Sequence, residues 1–118
     1  MKSVLVIGHG SRIKETEATM EAIVDMVKAK LPETIIDFAF MEMSDRTIEK
    51  GIAALAAQGA SEIRVVPYFL FKGVHPNKDI PELIARCAED YPDIAFSQGE
   101  TLGVDERLAD VLVERILA

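Results

Sequence analysis

The sequence VVPYFLFKGVHPNKDIP, from Val65 to Pro81, decides the fold of this chain. Its apolar first half predicts a buried strand, Gly73 breaks that strand, and a helix is expected to begin near Asp79. His75 is then expected on the loop between the strand and the helix. The stretch therefore predicts a strand–loop–helix unit with an imidazole at the junction.

A second unit of the same kind opens the chain. The apolar run Val4–Ile7 leads through Gly8-His9-Gly10-Ser11 into a helix. His9 and His75 are the two histidines of the 118 residues. Each is expected close to a glycine at the end of a strand, and this shared placement favours a functional role for both over a structural one.

The rest of the chain continues the alternation. Strands are predicted at Ser3–Ile7, Ile35–Met41, Glu62–Phe71 and Ile94–Ser97. Helices are predicted from the loop after Ser11 to about Leu31, from a cap at Ser44 or Asp45 to Gly59, and from Asp105 onward. A further helix is predicted from a cap at Asp79, with Pro81 in its first turn. This order predicts a single α/β domain over residues 1–118, with a four-stranded parallel sheet and helices on both faces.

The common doubly wound, flavodoxin-like strand order for four strands is 2-1-3-4. In that order strands 1 and 3 are neighbours, and ligands bind outside their carboxyl ends, where the winding reverses. His9 follows strand 1, and His75 follows strand 3. The predicted topology therefore places the functional site at this edge of the sheet.

Composition excludes several classes of protein. A net charge of -7 argues against binding to nucleic acid or to an anionic membrane surface. No apolar run approaches the length of a membrane span and no signal peptide is evident, so a cytoplasmic location is expected. The single cysteine, Cys87, cannot form an internal disulfide and is expected to be a small buried hydrophobic residue.

The motifs of several enzyme classes are missing. Gly8-His9-Gly10-Ser11 lacks the third glycine of a dinucleotide fingerprint and the Gly-Lys-Ser/Thr end of a P-loop. No GxSxG elbow supports a serine hydrolase, and no CxxC or HExxH motif supports a permanent structural metal. Two imidazoles alone form a weak, open metal site, suited to passing an ion on.

Glu42 is the next candidate, because it follows strand 2 and can supply a carboxylate near His9. The alternative for Glu42 is a solvated loop acid. Met41 and Met43 flank it, and packing is favoured over metal ligation for both. Ser11 is expected to cap the first helix.

Basic and aromatic residues complete the predicted crevice. Tyr68, Phe69 and Phe71 alternate along strand 3, so one side is expected in the core while the other lines a flat apolar pocket. The basic groups nearest to the crevice, available to pair with ligand carboxylates, are Arg12, Lys72 and Lys78.

The sequence resembles the small CbiX-type sirohydrochlorin chelatases of the class II chelatase superfamily. Val74 stands where a second glycine is common in that family. The resemblance covers essentially the whole chain and rests on Gly8–Arg12 after strand 1, Ala39–Glu42 after strand 2, Pro67–His75 leading into Asp79-Ile80-Pro81, and Leu102-Gly103 after strand 4.

The resemblance implies a chelatase-like fold and a lyase that inserts a divalent ion, with Co2+ as the leading candidate, into sirohydrochlorin for cobalamin biosynthesis. It implies His9 and His75 as metal ligands and catalytic residues, with Glu42 as a looser catalytic match. No organic cofactor is implied, and a chain of this length is expected to form its cleft as a homodimer. The implied substrate-binding residues are Gly10, Ser11, Arg12, Phe71, Lys72, Gly73, Val74 and Lys78.

Three alternatives stay open at the level of sequence. Nickel or iron is an alternative metal, which would lead to a nickel tetrapyrrole or to sirohaem, because two imidazoles accept all three ions. A non-enzymatic carrier of metal or tetrapyrrole would have the same crevice. A small α/β hydrolase or phosphatase that uses one histidine would leave the second histidine unexplained.

Overall fold

The computed structural model describes the backbone of residues 2–71 and 74–118, and the side chains of residues 2–71 and 80–118. Strands and helices alternate within these ranges. The strands are β1 (Lys2–Gly8), β2 (Ile35–Phe40), β3 (Glu62–Pro67) and β4 (Ala95–Gln98). The helices are α1 (Lys14–Lys30), α2 (Ile48–Ala57), α3 (Val74–Asp90) and α4 (Glu106–Leu117).

The four strands form one parallel sheet in the order β2-β1-β3-β4, which confirms the predicted topology. Ile7 of β1 is level with Ala39 on one side and with Pro67 on the other. The carboxyl ends of the three strands therefore meet at one edge, and the change in winding direction falls between β1 and β3.

Apolar side chains cover both faces of the sheet. On one face Met20 and Val24 of α1 pack with buried β2 side chains, namely Ile36, Phe38 and Phe40. The other face holds the larger core, whose members include Leu5, Ile7, Ile52, Leu55, Ile63, Val65, Phe69, Ile80 and Cys87. Burial of this apolar surface is the main force that holds the helices to the sheet.

The structure ends β3 at Pro67, four residues before the predicted end at Phe71. Beyond Pro67, Tyr68 N–H still donates to the Ile7 carbonyl at 2.7 Å. The next carbonyls, of Phe69 and Leu70, instead accept hydrogen bonds from the loop after β4. The aromatic run leaves the sheet because both neighbouring strands have ended, so the prediction of a longer strand was wrong.

Two helix caps also differ from the prediction. Thr47 rather than Ser44 or Asp45 caps α2, and its side chain accepts a hydrogen bond from Lys50 N–H at 3.2 Å. Ile13 is the N-cap residue of α1, while the Ser11 hydroxyl accepts from Ile13 N–H at 3.0 Å. Ser11 therefore closes a turn just before the helix instead of capping it.

Helix α3 begins at Val74, so Asp79 is not its cap and Pro81 lies in its interior. His75 is the second residue of this helix rather than part of a loop. Proline is tolerated in the first turn of a helix, and Pro76 rather than Pro81 occupies that turn. The rule that proline favours the first turn of a helix therefore holds, but the prediction applied it to Pro81 instead of Pro76.

The last helix, α4, opens at Asp105 as predicted, and Asp105 is its N-cap, with a carboxylate that accepts from Arg107 N–H at 2.9 Å. Hydrogen bonds from Arg107 hold the pKa of this exposed carboxyl well below its usual range. The helix itself contains no buried residue. Its apolar side chains are among the most exposed of the described chain, with Leu112 61% and Ile116 70% exposed.

No helix in the described part of the chain is long and apolar enough to cross a membrane.

Cys87 is buried, as predicted, at 6% exposure on the core side of α3. Burial raises the pKa of its thiol, and the nearby charges of Glu49 and Asp90 act in the same direction.

Because the thiolate is the reactive form, we expect iodoacetamide at pH 8 to modify native Cys87 at least about tenfold more slowly than the urea-unfolded chain. Equal rates in the two states, measured by mass spectrometry, would contradict the buried position.

Candidate functional site

His9 directly follows β1 at the carboxyl edge of the sheet, between the ends of β2 and β3. Two backbone hydrogen bonds hold this segment to the chain after β2. Met41 N–H donates to the Gly8 carbonyl at 2.9 Å, and Glu42 N–H donates to the His9 carbonyl at 3.1 Å. The main chain of His9 is therefore fixed while its side chain remains exposed.

The imidazole of His9 stacks on the ring of Phe69, with 4.0 Å between ring centroids and 24° between ring planes. Phe69 is 5% exposed and belongs to the larger core. Stacking covers one face of the imidazole, whereas the lone pair of a neutral imidazole lies in the ring plane. The geometry therefore leaves the edge of the His9 ring free of Phe69.

Gly10 allows the loop after β1 to lie against the segment after β2. Its φ is +100°, and a Cβ atom at this position would lie 1.8 Å from the Glu42 carbonyl oxygen. No other residue fits there without movement of one of the two loops. Gly10 thus has a structural role, and its predicted contact with substrate stays a prediction.

Glu42 and Met43 follow β2, and Glu42 lies next to the backbone of His9. The Glu42 side chain is exposed, and the contact that the structure gives between Glu42 and His9 is through the backbone. Met43 has a φ of 59°, a left-handed conformation that is strained for methionine, and its side chain is 54% exposed. Glu42 is therefore a neighbour of His9, and its predicted role as a catalytic carboxylate stays a prediction.

A depression of about 450 Å³ lies between the loops that follow β1 and β2. Arg12 and Lys14 line it together with Ser11 and Met43. Ile13 has no side-chain oxygen with which to cap α1, and the Thr16 N–H is bonded to the Ile13 carbonyl, so the N–H groups of Lys14 and Glu15 remain available to an acceptor. Because Glu17 and Asp45 also line the depression, its charge is mixed rather than purely basic.

The remaining predicted site residues lie around the start of α3. Phe71 is described and is 77% exposed. Lys72 and Gly73 lie outside the described residues, and the side chains of Val74, His75 and Lys78 do as well. Helix α3 begins at Val74, seven residues after β3 ends at Pro67, so the backbone of His75 follows the same edge of the sheet as His9.

Among the side chains at 2–71 and 80–118, no group of three or more His, Cys, Asp or Glu residues could hold a metal ion. The pairing of His9 with His75 is thus neither confirmed nor contradicted. It stays a prediction, and the position of both residues at one sheet edge supports it.

Sequence reasoning placed Phe69 in an aromatic cluster but missed its contact with His9. A signal for the contact was present in the predicted topology. Ile7 pairs with Pro67, so two residues further along each chain His9 comes level with Phe69. Extending the β1–β3 register past the strand ends would have predicted the stack.

Comparison with known proteins shows the family to which the chain belongs. The CbiX family model matches residues 3–118. The chain belongs to the CbiX family. It is 42% identical over 116 residues to the sirohydrochlorin ferrochelatase of Priestia megaterium, in an alignment that covers 98% of this chain and 44% of that protein.

Another relative is close to this chain in length. The sirohydrochlorin cobaltochelatase of Methanosarcina acetivorans is 33% identical over 120 residues, which cover 96% of this chain and 92% of that protein. This CbiX-family chain therefore spans about half the length of some relatives and nearly the whole length of others.

Solved structures show the same fold. The crystal structure of the sirohydrochlorin chelatase SirB from Bacillus subtilis subspecies spizizenii in complex with cobalt matches with a TM-score of 0.91 and 38% identity. The match covers 98% of this CbiX-family chain and 50% of that chain.

The close approach at Gly10 generates a prediction about stability. Gly10→Ala should lower the free energy of unfolding by about 3 kcal/mol, because the added methyl group meets the Glu42 carbonyl. Gly103→Ala is the matched control, since Gly103 also has a positive φ of +60°, but a Cβ atom there would lie 4.0 Å from the Thr101 carbonyl oxygen, an ordinary van der Waals distance. The control should cost about 1 kcal/mol. Equal losses in urea unfolding would show that the approach of the two loops is not tight.

Proposed function

We propose that this domain inserts a divalent metal ion into sirohydrochlorin. The observation that carries the proposal is the exposed imidazole of His9, held on a buried aromatic ring at the switch point of a CbiX-family fold. Relatives that match nearly the whole of this chain are named sirohydrochlorin chelatases, which supports the choice of substrate.

His9 and His75 bind the metal in this proposal, and the ion is a substrate rather than a resident cofactor. Neutral imidazole is a good ligand for cobalt, nickel and iron. A site of two imidazoles leaves most of the coordination shell of the ion to water and to the incoming macrocycle. Such a site can receive the ion from solution and release it into the ring.

Metal insertion requires the two pyrrole N–H protons to leave as the metal–nitrogen bonds form. The base that accepts them must come within hydrogen-bond reach of the macrocycle. Glu42 lies beside His9, because its backbone N–H is bonded to the His9 carbonyl at 3.1 Å. The side chain of Glu42 is exposed. We assign proton acceptance to Glu42 or to a histidine freed as the metal moves into the ring.

Carboxylates of the macrocycle are expected to bind in the depression beside α1. Arg12 supplies a guanidinium, and the loop of Gly10 and Ser11 together with the uncapped start of α1 supplies N–H donors. Phe71, which is 77% exposed, offers a flat apolar surface to the ring. The remaining substrate-binding residues proposed from the family resemblance are Lys72, Gly73, Val74 and Lys78.

Co2+ is the first metal to test. The relative of Methanosarcina acetivorans, which matches this chain in length, is named a cobaltochelatase, and this supports cobalt. The relatives of Priestia megaterium and Bacillus subtilis, which are 42% and 36% identical, are named ferrochelatases, and this supports iron. The choice of metal stays a prediction. The role in cobalamin biosynthesis and the cytoplasmic location also stay predictions.

The decisive experiment follows sirohydrochlorin absorbance over time with Co2+, Ni2+ or Fe2+ under anaerobic conditions. His9→Ala and His75→Ala should each lower kcat/KM by about 100-fold, because each removes a metal ligand. Multiple turnovers by the wild type, lost in both variants, would support the proposal and rank the metals. Binding of sirohydrochlorin without acceleration would instead indicate a carrier, and no response at all would overturn the proposal.

The role of Arg12 has its own matched comparison. Arg12→Ala should raise KM for sirohydrochlorin several-fold with a smaller change in kcat, because it removes a partner of a substrate carboxylate. Lys28→Ala removes the same charge from the last turn of α1, at the far end of that helix. An equal rise in KM for both variants would show a general effect of net charge rather than a contact with Arg12.

We also propose that two copies of the domain, residues 1–118, form the functional cleft. The support comes from α4, whose Leu108, Leu112 and Ile116 follow one another at helical spacing. Leu112 is 61% and Ile116 70% exposed, and no residue of α4 is buried. An apolar stripe of this kind is typical of a protein interface.

A second surface of the same chain is exposed. Helix α1 covers β1 and β2 on its face of the sheet, while Glu62 and Arg64 of β3 are exposed on that face. A helix about 18 Å long, docked once on each copy, buries an area on the order of the 1,200–2,000 Å² of a stable interface. Because each copy carries both the apolar stripe of α4 and the exposed face of β3, α4 of each copy can dock on the sheet of the other in a two-fold symmetric pair.

Substitutions on α4 test the dimer. Leu112→Lys should shift the protein from dimer to monomer in sedimentation velocity, because it places a charge in the apolar stripe. Glu114→Gln is the matched control, since it changes the charge by the same +1 on the polar side of the helix. A wild type that sediments as a monomer, or two variants that behave alike, would contradict the proposed interface.

A further inference from the structure

Phe69 has an unusual position for a core residue. It lies two residues past the end of β3, yet it is 5% exposed and packs in the same cluster as Ile7 and Val65. Its carbonyl accepts a hydrogen bond from Leu102 N–H at 2.8 Å, which ties the segment to the loop after β4. The ring of Phe69 is thus held from the core side and from the backbone.

His9 rests on this ring although its own side chain is exposed. An exposed histidine side chain ordinarily samples several rotamers. A face-to-face contact at 4.0 Å with a buried ring selects those rotamers in which the two planes are nearly parallel, and the observed angle is 24°. The plane of the imidazole is therefore set by a residue from the neighbouring strand.

We propose that Phe69 is a positioning residue that presents the ring edge of His9 to the metal. The inference rests on the proposed function, in which His9 binds the ion. A metal–imidazole bond lies in the plane of the ring, so an orientation set before the ion arrives lowers the ordering cost of binding. Backbone contacts with Glu42 fix the main chain of His9, and Phe69 fixes its ring.

The contact requires an aromatic residue at position 69. Leucine fills a similar part of the core but offers no flat face for the imidazole. Tyrosine keeps the face and adds a hydroxyl that needs a partner in a buried site. Phe69→Leu should therefore remove the stack, while Phe69→Tyr should retain it with some loss of stability.

The experiment compares Phe69→Leu with Phe38→Leu. Phe38 is also a buried phenylalanine, at 6% exposure, but it packs in the other cluster, with Arg46 over its ring. Both variants lose the same atoms from a core, so an effect of reduced stability appears in both. An effect of the stack appears in Phe69→Leu alone.

Two measurements are made on each protein without sirohydrochlorin. The first is the NMR chemical shift of the His9 ring protons, assigned with His9→Ala, because a stacked aromatic ring moves these signals upfield. The second is titration with Co2+ alone, followed by the visible absorption of the bound ion and by its dissociation constant. Phe69→Leu should lose the upfield shift, change the Co2+ spectrum and weaken binding on the order of tenfold. Phe69→Tyr should restore both signals, and Phe38→Leu should match the wild type.

The outcomes separate this inference from the proposed function. Phe69→Leu that binds Co2+ with wild-type affinity and spectrum would overturn the positioning role alone. A wild type with a stacked His9 that binds no Co2+, or one whose Co2+ binding is unaffected by His9→Ala, would overturn the proposed function together with this inference.

Discussion

The parallel pairing of β1 with β3 is the constraint on which the rest of the structure depends. It sets Ile7 level with Pro67, and the Tyr68 N–H continues the pairing to the Ile7 carbonyl at 2.7 Å. Two strands that are distant in sequence thereby end side by side. The same register brings His9 level with Phe69, so the topology of the sheet and the stack of the candidate site have one cause.

A second constraint comes from the contact between the loops after β1 and β2. The Glu42 carbonyl lies where a side chain at position 10 would begin, and the Glu42 N–H is bonded to His9. The left-handed conformation of Met43 carries backbone strain at the same turn. Strain of this kind persists where surrounding contacts over-determine the backbone, and here those contacts fix the main chain of the candidate ligand.

The sequence was sufficient for the order of elements and for the sheet edge at which His9 lies, because alternation and handedness leave few topologies. It was insufficient where a local rule had two possible positions. Pro76 and Pro81 both suit a helix start, and Tyr68–Phe71 has the composition of a strand although the strand ends at Pro67. The exposure of α4 could not be predicted from the sequence either. An amphipathic pattern shows that a helix has an apolar side but not which part of the protein covers that side.

The candidate site combines rigidity with access, and these properties come from different parts of the chain. Rigidity comes from Phe69, which belongs to the core, and access comes from the exposed side chain of His9. A resident metal is better served by a closed shell of ligands, whereas an ion that must pass to a macrocycle needs ligands that are oriented but replaceable. One imidazole stacked on a buried aromatic ring is an oriented and replaceable ligand, but it is not a closed shell of ligands. The arrangement of His9 therefore suits transfer of a metal better than its storage.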